Sequence, residues 1–388
     1  MSQNHGPENL CLLCGAPALE ASAQGSGLSG VTSDSKPWPE AGTFCFCTAC
    51  GHVQKRRTPR WIADVGRIYE GYEMYVTSGG NEQVVFQAGD PAPRSRRLLE
   101  GVLSCAAFPE RGSLLDVGCG NGAFLRSFGE RFPAWSLYGY ELQESRRQVI
   151  LALPGVEGFL HGPFEEQRGT FDAVSMLYVV EHLLDPLRTL RHVFSLLRPG
   201  GFFLLQTADL AASPFDLPVA DHCSHFTLDM LCHAAEQAGF EVATRSDAWI
   251  RKEIGVLARR PGNDSPAQPG PLPQPKGPVL LAAQLRWLQA VAGHAREEAA
   301  RGGLGVFGTS NAATWLAQEL RGAAQFFVDE DPQRRGKTHL GLPVLAPQDV
   351  PSGSAAYLAF PRAMALDIAA RLHPAHPNLR LIVPPDLE

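Results

Sequence analysis

A chain of 388 residues with 44% hydrophobic and 19% charged side chains has a globular composition and is too long for one ordinary domain. Its formal net charge of −6 gives no general attraction for phosphate backbones, which disfavours nucleic acid as a partner. No apolar run is long enough to span a membrane and the first residues lack the pattern of a secretion signal, so we expect a cytoplasmic protein.

Two Cys-x-x-Cys pairs mark the N-terminal segment, which we predict to cover residues 1–80 and to include an aromatic stretch. The pairs are Cys11 with Cys14 and Cys47 with Cys50, each followed by glycine. In a reducing compartment this spacing indicates metal ligation, and four thiolates give Zn²⁺ a closed tetrahedral site with no position for water. We therefore predict a structural zinc ion, with Cys45 as a spare thiol that could replace one ligand.

The middle of the chain, residues 81–260, has the pattern of an α/β domain. Helical spacing of apolar residues from Arg94 to Phe108 is followed by five strand-like runs, LLDVG, SLYGY, FDAVSML, FFLLQT and IGVLA. Strands that alternate with helical or loop segments are typical of a parallel sheet. Residues 261–278 are rich in proline and lack apolar periodicity, so we predict a semi-rigid linker there.

A second, smaller α/β unit is predicted over residues 279–388. It begins with an amphipathic helix at LAAQLRWLQAVAGHAREEAARG and continues with the strand LGVFG and a helix at NAATWLAQEL. Further strands are predicted at AQFFVDED, AAYLAF and LRLIVP. The expected fold class is α/β, with an N-terminal zinc-binding module before the two α/β domains.

A glycine-rich turn follows the first strand of the middle domain. Asp116 ends the strand, and Gly118, Gly120 and Gly122 follow in the turn that enters a helix, where the missing Cβ lets a ligand approach the backbone. The next strand ends in Glu141, whose carboxylate can accept both hydroxyls of a ribose. A nucleotide-like ligand is expected here, and a solvated strand-end carboxylate is the alternative for Glu141.

Two later segments add to this prediction. Residues 162–164, in the run FLHGPFEE, either lie against an adenine or form an ordinary turn. In the run FDAVSMLYVVEHLLDP, a buried strand leads into the polar pair Glu181 and His182. Polar residues at the carboxyl end of an inner strand line the ligand crevice of open sheets, so this pair is expected at the same site.

Over residues 94–260 the motifs LLDVGCGNG, EH and LRPGG resemble those of class I methyltransferases that use S-adenosylmethionine (SAM). The resemblance implies a Rossmann-like core that binds SAM at the glycine turn. The residues expected to contact SAM are Asp116, Gly118, Cys119, Gly120, Gly122, Glu141, Leu142, Phe164, Met176, Leu177, His182, Tyr72 and Ser78.

Candidate bases for methyl transfer lie in one short run, VADHCSHFTLDML. Asp221, His222 and His225 precede a helix whose N-cap is predicted at Thr227, so they occupy a loop that borders the site. A histidine side chain suits proton abstraction near neutral pH. Surface histidines without a catalytic role are the alternative, above all for His225.

The aromatic stretch IYEGYEMYVTSGG supplies Tyr69, Tyr72, Tyr75 and Ser78 ahead of the middle domain. These side chains can cover a bound cofactor, and a packing patch between domains is the alternative. A zinc module, this YxxYxYxSG-like stretch, a methyltransferase core and a C-terminal nucleotide-fold domain occur in the same order in the deoxysugar C-methyltransferases, which the chain resembles over nearly its full length.

The deoxysugar resemblance implies a reaction and a substrate. His222 would remove the proton beside the ketone of a nucleotide-linked sugar, and the enolate would attack the methyl group of SAM. Asp221, His225 and Tyr75 would be the further catalytic residues. The sugar nucleotide would lie between the middle and C-terminal domains. The C-terminal positions that match a nucleotide-fold turn and strand end are Gly305, Gly308 and Asp329.

Other functions stay open. Val219 and Ala220 stand where that family has tyrosine and histidine, which leaves O- or N-methylation of another natural-product intermediate as an alternative. An RNA methyltransferase and a non-catalytic nucleotide-binding scaffold are further alternatives, and the acidic balance disfavours the first. We expect a small-molecule partner, no membrane, and a monomer or weak dimer.

Overall fold

The structure is a computed structural model that describes residues 10–23, 25, 27–73, 82–87, 90–262 and 265–386. In these residues the chain forms three larger sheets and two sheets of two strands each. The three larger sheets follow one another along the sequence, except that one short strand from the middle of the chain joins the N-terminal sheet.

The N-terminal segment consists of short strands and one helix. Its elements are β1 (Leu19–Ala21), β2 (Gly30–Val31), β3 (Pro37–Trp38), β4 (Phe44–Cys47), β5 (Val53–Lys55) and α1 (Pro59–Glu70). Strands β1, β4 and β5 pair in antiparallel fashion. Helix α1 begins at Pro59, where the missing N–H costs no hydrogen bond, and the Thr58 side chain caps it by accepting the Trp61 N–H.

The middle of the chain forms a seven-stranded sheet after a small hairpin and a helix. Its elements are β6 (Val84–Gln87), β7 (Asp90–Pro93), α2 (Arg94–Leu103), β8 (Gly112–Val117), α3 (Ala123–Arg131), β9 (Trp135–Tyr140), α4 (Arg147–Leu151), β10 (Val156–Leu160), β11 (Phe171–Leu177), α5 (Pro186–Leu196), β12 (Leu197–Ala208), β13 (Ser224–His225), α6 (Leu228–Gln237), β14 (Glu241–Ser246) and β15 (Glu253–Arg259). Helix α6 starts after Thr227, whose side chain accepts the Met230 N–H as the sequence predicts.

The strand order of this sheet is β10, β9, β8, β11, β12, β15 and β14. The first five strands are parallel, and the chain order reverses between β8 and β11. Ligands of open α/β sheets bind in the crevice beyond the carboxyl ends of the strands at such a reversal. The glycine turn after β8 and the Glu181–His182 pair after β11 therefore lie at this edge.

The sheet is parallel over five strands, as the sequence pattern predicts, but its far edge is antiparallel. Strand β15, predicted as IGVLA, runs antiparallel to β12 and to β14. Only residues 247–252 connect β14 to β15, and a parallel crossover needs about a dozen residues, so the pair forms a hairpin. Strand β14 went unpredicted because its residues alternate between exposed and half-buried and form no apolar run.

The C-terminal segment forms a six-stranded sheet after residues 265–276, which lie outside helices and strands. Its elements are α7 (Gly277–Ala299), β16 (Leu304–Phe307), α8 (Asn311–Glu319), β17 (Phe327–Val328), β18 (Thr338–His339), β19 (Leu342–Leu345), β20 (Ala355–Leu358), α9 (Arg362–Leu372) and β21 (Arg380–Ile382). The order is β18, β19, β17, β16, β20 and β21, and β18 alone of these pairs in antiparallel fashion. The predicted strand AQFFVDED pairs only over β17.

One apolar core joins parts of the chain that are distant in sequence. The loop between β12 and β13 inserts Phe215 against Trp287 of α7 and Trp315 of α8, with ring centroids 5.4 and 5.7 Å apart. Strand β13 pairs with β5 of the N-terminal sheet. This loop, which carries the predicted bases, is therefore held between the N-terminal and C-terminal segments. Across the described stretches of the chain, no helix has both the length and the apolar surface needed to cross a membrane.

Candidate active site

The turn between β8 and α3 keeps its backbone in a conformation that favours glycine. Gly118, Gly120 and Gly122 have φ angles of +75°, +55° and +77°. A Cβ at Gly118 would lie 2.4 Å from Val179 Cγ2, and one at Gly122 would lie 2.3 Å from Leu153 Cδ1. The backbone conformation therefore favours glycine at both positions, and at Gly118 the contact with Val179 adds a packing reason.

Two carboxylates flank this turn. Buried Asp116 accepts a hydrogen bond from Ser175 Oγ at 2.7 Å, and burial raises its pKa to about 7 although that hydrogen bond opposes the shift. Glu141 accepts the N–H groups of Gly120 at 2.9 Å and Leu142 at 2.7 Å. A fixed carboxylate beside a glycine turn has the hydrogen-bonding groups that the ribose of an adenosyl ligand requires, so the residues present fit SAM.

A cavity of about 320 Å³ opens at the edge of the sheet. Its walls come from all three segments of the chain. The lining includes Ser33, Gly118, His222, Glu253, Asn311 and Arg334. A volume of this size accommodates part of a small organic ligand, with the remainder open to solvent.

Asp216 links two of the predicted catalytic histidines. Its two carboxylate oxygens lie 2.8 Å from His222 Nδ1 and 2.6 Å from His225 Nδ1. Burial opposes ionisation of Asp216, but the charge of His222 and the hydrogen bonds from both rings hold its pKa well below the usual range. His222 lines the cavity with Asp216, whereas His225 is buried behind it and its pKa is lowered by burial.

A second carboxylate–histidine pair lies beside the first. His182 Nδ1 is 3.2 Å from the carbonyl oxygen of Asp221 and 3.4 Å from its Oδ2. Burial disfavours the charged imidazole, but the hydrogen bond to Asp221 and its charge outweigh this and raise the pKa of His182 to about 9. Asp221 also accepts the N–H and hydroxyl of Ser33. The rings of His182 and His222 are perpendicular, with centroids 4.6 Å apart.

Glu181 is the most unusual group of the cavity wall. Its side chain is 1% exposed, and neither carboxylate oxygen has a hydrogen-bond partner among the described residues. Burial raises its pKa, against the opposing charges of His182 and His222. A buried carboxylate without hydrogen-bond partners among the described residues is costly in its charged form, so burial favours the protonated acid.

The structure brings many of the predicted residues to the cavity but not all of them. Those that line it are Tyr72, Asp116, Gly118, Cys119, Leu177, His182 and His222. Those described but not lining it are Gly120, Gly122, Glu141, Leu142, Phe164, Met176, Asp221 and His225. Tyr75 and Ser78 lie outside the described residues. Met176 faces the buried side of β11 because side chains alternate along a strand, and Phe164 packs on Tyr140 at 4.8 Å.

Sequence reasoning missed Asp216, although it orients both histidines. A single aspartate in the loop SPFDLP has no pattern that separates it from an ordinary turn residue. It also missed the basic and hydroxyl groups that the C-terminal segment adds to the cavity, where Arg334 Nη1 lies 2.9 Å from Thr309 Oγ1. These residues are distant in sequence from the glycine turn, so spacing alone could not group them.

The four cysteines of the two pairs form one cluster. Cys11 and Cys50 approach to 3.6 Å between sulfurs, as do Cys14 and Cys47, and all four sulfurs lie within 4.8 Å of one another. Thiolates bound to zinc at about 2.3 Å in a tetrahedron lie about 3.8 Å apart, so the four residues fit this ion. Cys45 is buried outside the cluster.

The cysteine cluster is connected to the histidine loop through the N-terminal sheet. Cys50 is followed by β5, and β5 pairs with β13, so that Val53 lies opposite His225. His52 Nε2 lies 3.1 Å from Ser224 Oγ, and the Lys55 N–H donates to the carbonyl of Cys223. Folding of the cluster and the position of the histidine loop are therefore linked.

Residues 92–245 match a protein family whose model is described as a methyltransferase domain. Over 116 residues the chain is 34% identical to the ubiquinone biosynthesis O-methyltransferase of Xanthomonas campestris pv. campestris strain B100, which covers 27% of this chain and 47% of that protein. The protein of the same name from Xanthomonas oryzae pv. oryzae strain PXO99A is 33% identical over 119 residues, with coverages of 27% and 47%. The chain spans about half the length of these curated relatives.

Solved structures also match the middle of the chain. A SAM-dependent methyltransferase from Aquifex aeolicus matches with a TM-score of 0.35 and 18% identity, covering 42% of this chain and 89% of that one. The mitomycin 7-O-methyltransferase matches with a TM-score of 0.38 and 19% identity, covering 43% and 54%. The family match covers residues 92–245, and the strand order and glycine turn within these residues are compatible with a methyltransferase domain.

Proposed function

We propose that the protein transfers the methyl group of SAM to a small molecule held in the 320 Å³ cavity. One observation carries the proposal: the glycine turn and the Asp216–His222 pair line the same cavity. Methyl transfer requires a donor and an activated acceptor side by side, and these two elements supply a place for each.

The methyl donor would be held by Asp116, Gly118, Gly120 and Glu141. The glycine backbone allows close approach, and Glu141 would accept the ribose hydroxyls in exchange for its present bonds to backbone N–H groups. When bound, SAM supplies an electrophilic methyl group on a sulfonium. Asp116 is less suited than Glu141 to bind the ribose, because it already accepts a hydrogen bond from Ser175.

The acceptor would be activated by His222. Asp216 binds Nδ1 of the ring, which fixes its orientation and leaves Nε2 as the nitrogen that can take a proton. The Asp216 carboxylate also stabilises the imidazolium that results, as an orienting carboxylate does in other acid–base pairs. His225 and Asp221 are buried beside this pair, and we assign them a positioning role.

The acceptor we favour is a nucleotide-linked ketosugar, methylated on the carbon beside its ketone. The cavity wall formed by Thr309, Asn311 and Arg334 supports this choice, since a helix N-terminus with an arginine suits a phosphate. O-methylation of another metabolite is the second candidate, and it is supported by the similarity to Xanthomonas proteins that are named O-methyltransferases. A hydroxyl acceptor can use the same base at His222.

The cysteine cluster would bind a structural Zn²⁺ ion. Four sulfurs in near-tetrahedral spacing leave no open position for a reacting group. The ion would stabilise the N-terminal sheet and, through β5 and β13, the histidine loop.

The test is mass spectrometry of reactions that contain SAM and a panel of nucleotide-linked ketosugars and hydroxylated metabolites. A product heavier by one methylene group is expected, and NMR of that product distinguishes carbon from oxygen methylation. The variant His222→Ala should lose about 10²- to 10⁴-fold in turnover, while exposed His373→Ala serves as the control and keeps it. Failure of the folded protein to take up SAM in calorimetry would overturn the proposal.

A further inference from the structure

The cluster of Glu181, His182 and His222 lies on the cavity wall and is separate from the cysteine cluster. One carboxylate oxygen of Glu181 and one ring nitrogen of each histidine lie within 4.8 Å of one another. All three residues line the cavity. Small side-chain rotations would bring these atoms to the roughly 3 Å spacing of ligands that share one ion.

The hydrogen bonds around the cluster resemble those of metal-bound histidines. His182 directs Nδ1 to Asp221, and His222 directs Nδ1 to Asp216. Metal-binding histidines usually donate their second ring N–H to a carboxylate or carbonyl oxygen in this way. Nε2 of each ring is then the nitrogen left for a ligand.

Glu181 supplies an independent observation. Both of its oxygens are buried and lack hydrogen-bond partners within the residues that the structure describes. Neither the SAM contacts nor the Asp216–His222 pair uses this carboxylate. A divalent cation would satisfy both oxygens and compensate the cost of burying the charge.

We infer that Glu181, His182 and His222 bind one divalent transition-metal ion, with its remaining coordination positions open to the cavity. Two imidazoles and one carboxylate are a ligand set for ions such as Mn²⁺, Fe²⁺ or Co²⁺. The role of the ion rests on the proposed function: the ion orients an oxygen of the acceptor and stabilises negative charge on that oxygen. With the ion bound, His222 is a ligand and cannot take a proton, so its role as base belongs to the ion-free protein. In the ion-bound protein, an acceptor hydroxyl on the ion would have a lowered pKa and would lose its proton to solvent.

The experiment is a titration of the full-length, zinc-containing protein with Mn²⁺, followed by electron paramagnetic resonance of the free ion. Mn²⁺ prefers oxygen and imidazole ligands to thiolates, so it does not report on the cysteine cluster. We expect one Mn²⁺ per chain. Glu181→Gln and His222→Asn should each weaken binding at least about 10-fold, and Glu100→Gln, which changes an exposed carboxylate of α2, should bind as the wild type does.

Two outcomes overturn the inference: no uptake of Mn²⁺ by the wild type, or equal uptake by wild type, Glu181→Gln and His222→Asn. Circular dichroism establishes that each variant is folded, and two variants at different ligands prevent a single folding defect from deciding the result. SAM uptake is measured on the same samples by calorimetry. Loss of SAM uptake with Mn²⁺ binding intact overturns the proposed function alone, and the reverse result overturns the metal site alone.

Discussion

The substitution Asp216→Asn isolates the residue that holds the histidine loop together. In the structure the two oxygens of Asp216 accept hydrogen bonds from His222 at 2.8 Å and from His225 at 2.6 Å. Asparagine has the same shape but only one oxygen. Its NH₂ group would face a ring N–H, so one of the two hydrogen bonds would be lost and a buried donor left without a partner.

The expected magnitudes follow from this loss. A hydrogen bond to a charged group contributes about 1.5–3 kcal/mol, so the free energy of unfolding should fall by about that amount. Turnover should fall by about 10²- to 10⁴-fold because His222 loses the group that fixes its orientation. SAM affinity should stay unchanged, since the glycine turn and Glu141 do not contact Asp216.

Urea unfolding, calorimetry with SAM and turnover of the acceptor found by mass spectrometry measure these three effects. The matched control is Asp229→Asn, which weakens the ion pairs of a half-buried carboxylate with Arg245 and Lys276, and each pair should contribute about 1 kcal/mol at most. If Asp216→Asn unfolds at the wild-type urea concentration and keeps its turnover, then Asp216 does not orient His222 and our reasoning is wrong.

Three further predictions concern the cysteine cluster, the glycine turn and a surface ion pair. Cys47→Ser should lower the zinc content and increase hydrogen exchange in the histidine loop, because β5 pairs with β13; unchanged zinc by elemental analysis would contradict this. Gly118→Ala should weaken SAM binding in calorimetry and lower the free energy of unfolding by more than the control Gly200→Ala does. Gly200 has φ +80° and no described atom within 4 Å of an added Cβ, so its substitution should cost only about 1–2 kcal/mol. Equal losses of stability in the two variants would contradict the close approach of Val179. Burial opposes ionisation of Asp172, but the hydrogen bonds from Arg198 and Ser113 hold its pKa below the usual value. The ionised carboxylate therefore stabilises the fold above a pH of about 3.9, and this stabilisation is lost on acidification. The difference in urea stability between wild type and Asp172→Asn should shrink from pH 7 to pH 3, and an increase would contradict the prediction.

The glycine turn and the cysteine cluster could be predicted because each depends on short-range spacing. Glycines after a strand and before a helix fix a turn, and two residues between cysteines fix a metal-binding pair. The structure places four of these cysteines in one cluster and leaves Cys45 outside it. Strand β1, which follows Cys14, pairs with β4 so that Leu19 lies opposite Cys47, and this pairing brings the two cysteine pairs together.

The sequence did not show which side chains of β11 face the cavity. Met176 and Leu177 were both expected beside SAM, but Leu177 lines the cavity and Met176 is buried on the other face of the sheet. Side chains alternate along a strand, so two neighbours cannot face the same crevice. The antiparallel direction of β15 was not predicted either, because an apolar run in the sequence does not show which way the strand runs in the sheet.

Local pattern alone thus determined the glycine turn, the cysteine pairs and the loop that carries His222. Only the tertiary structure decided that Asp216 binds His222, that Glu181 is buried beside it with no hydrogen-bond partner among the described residues, and that Arg334 reaches the same cavity. The physical reason is distance along the chain: a turn is specified by neighbouring residues, whereas a cavity wall is specified by packing among segments that the sequence lists far apart.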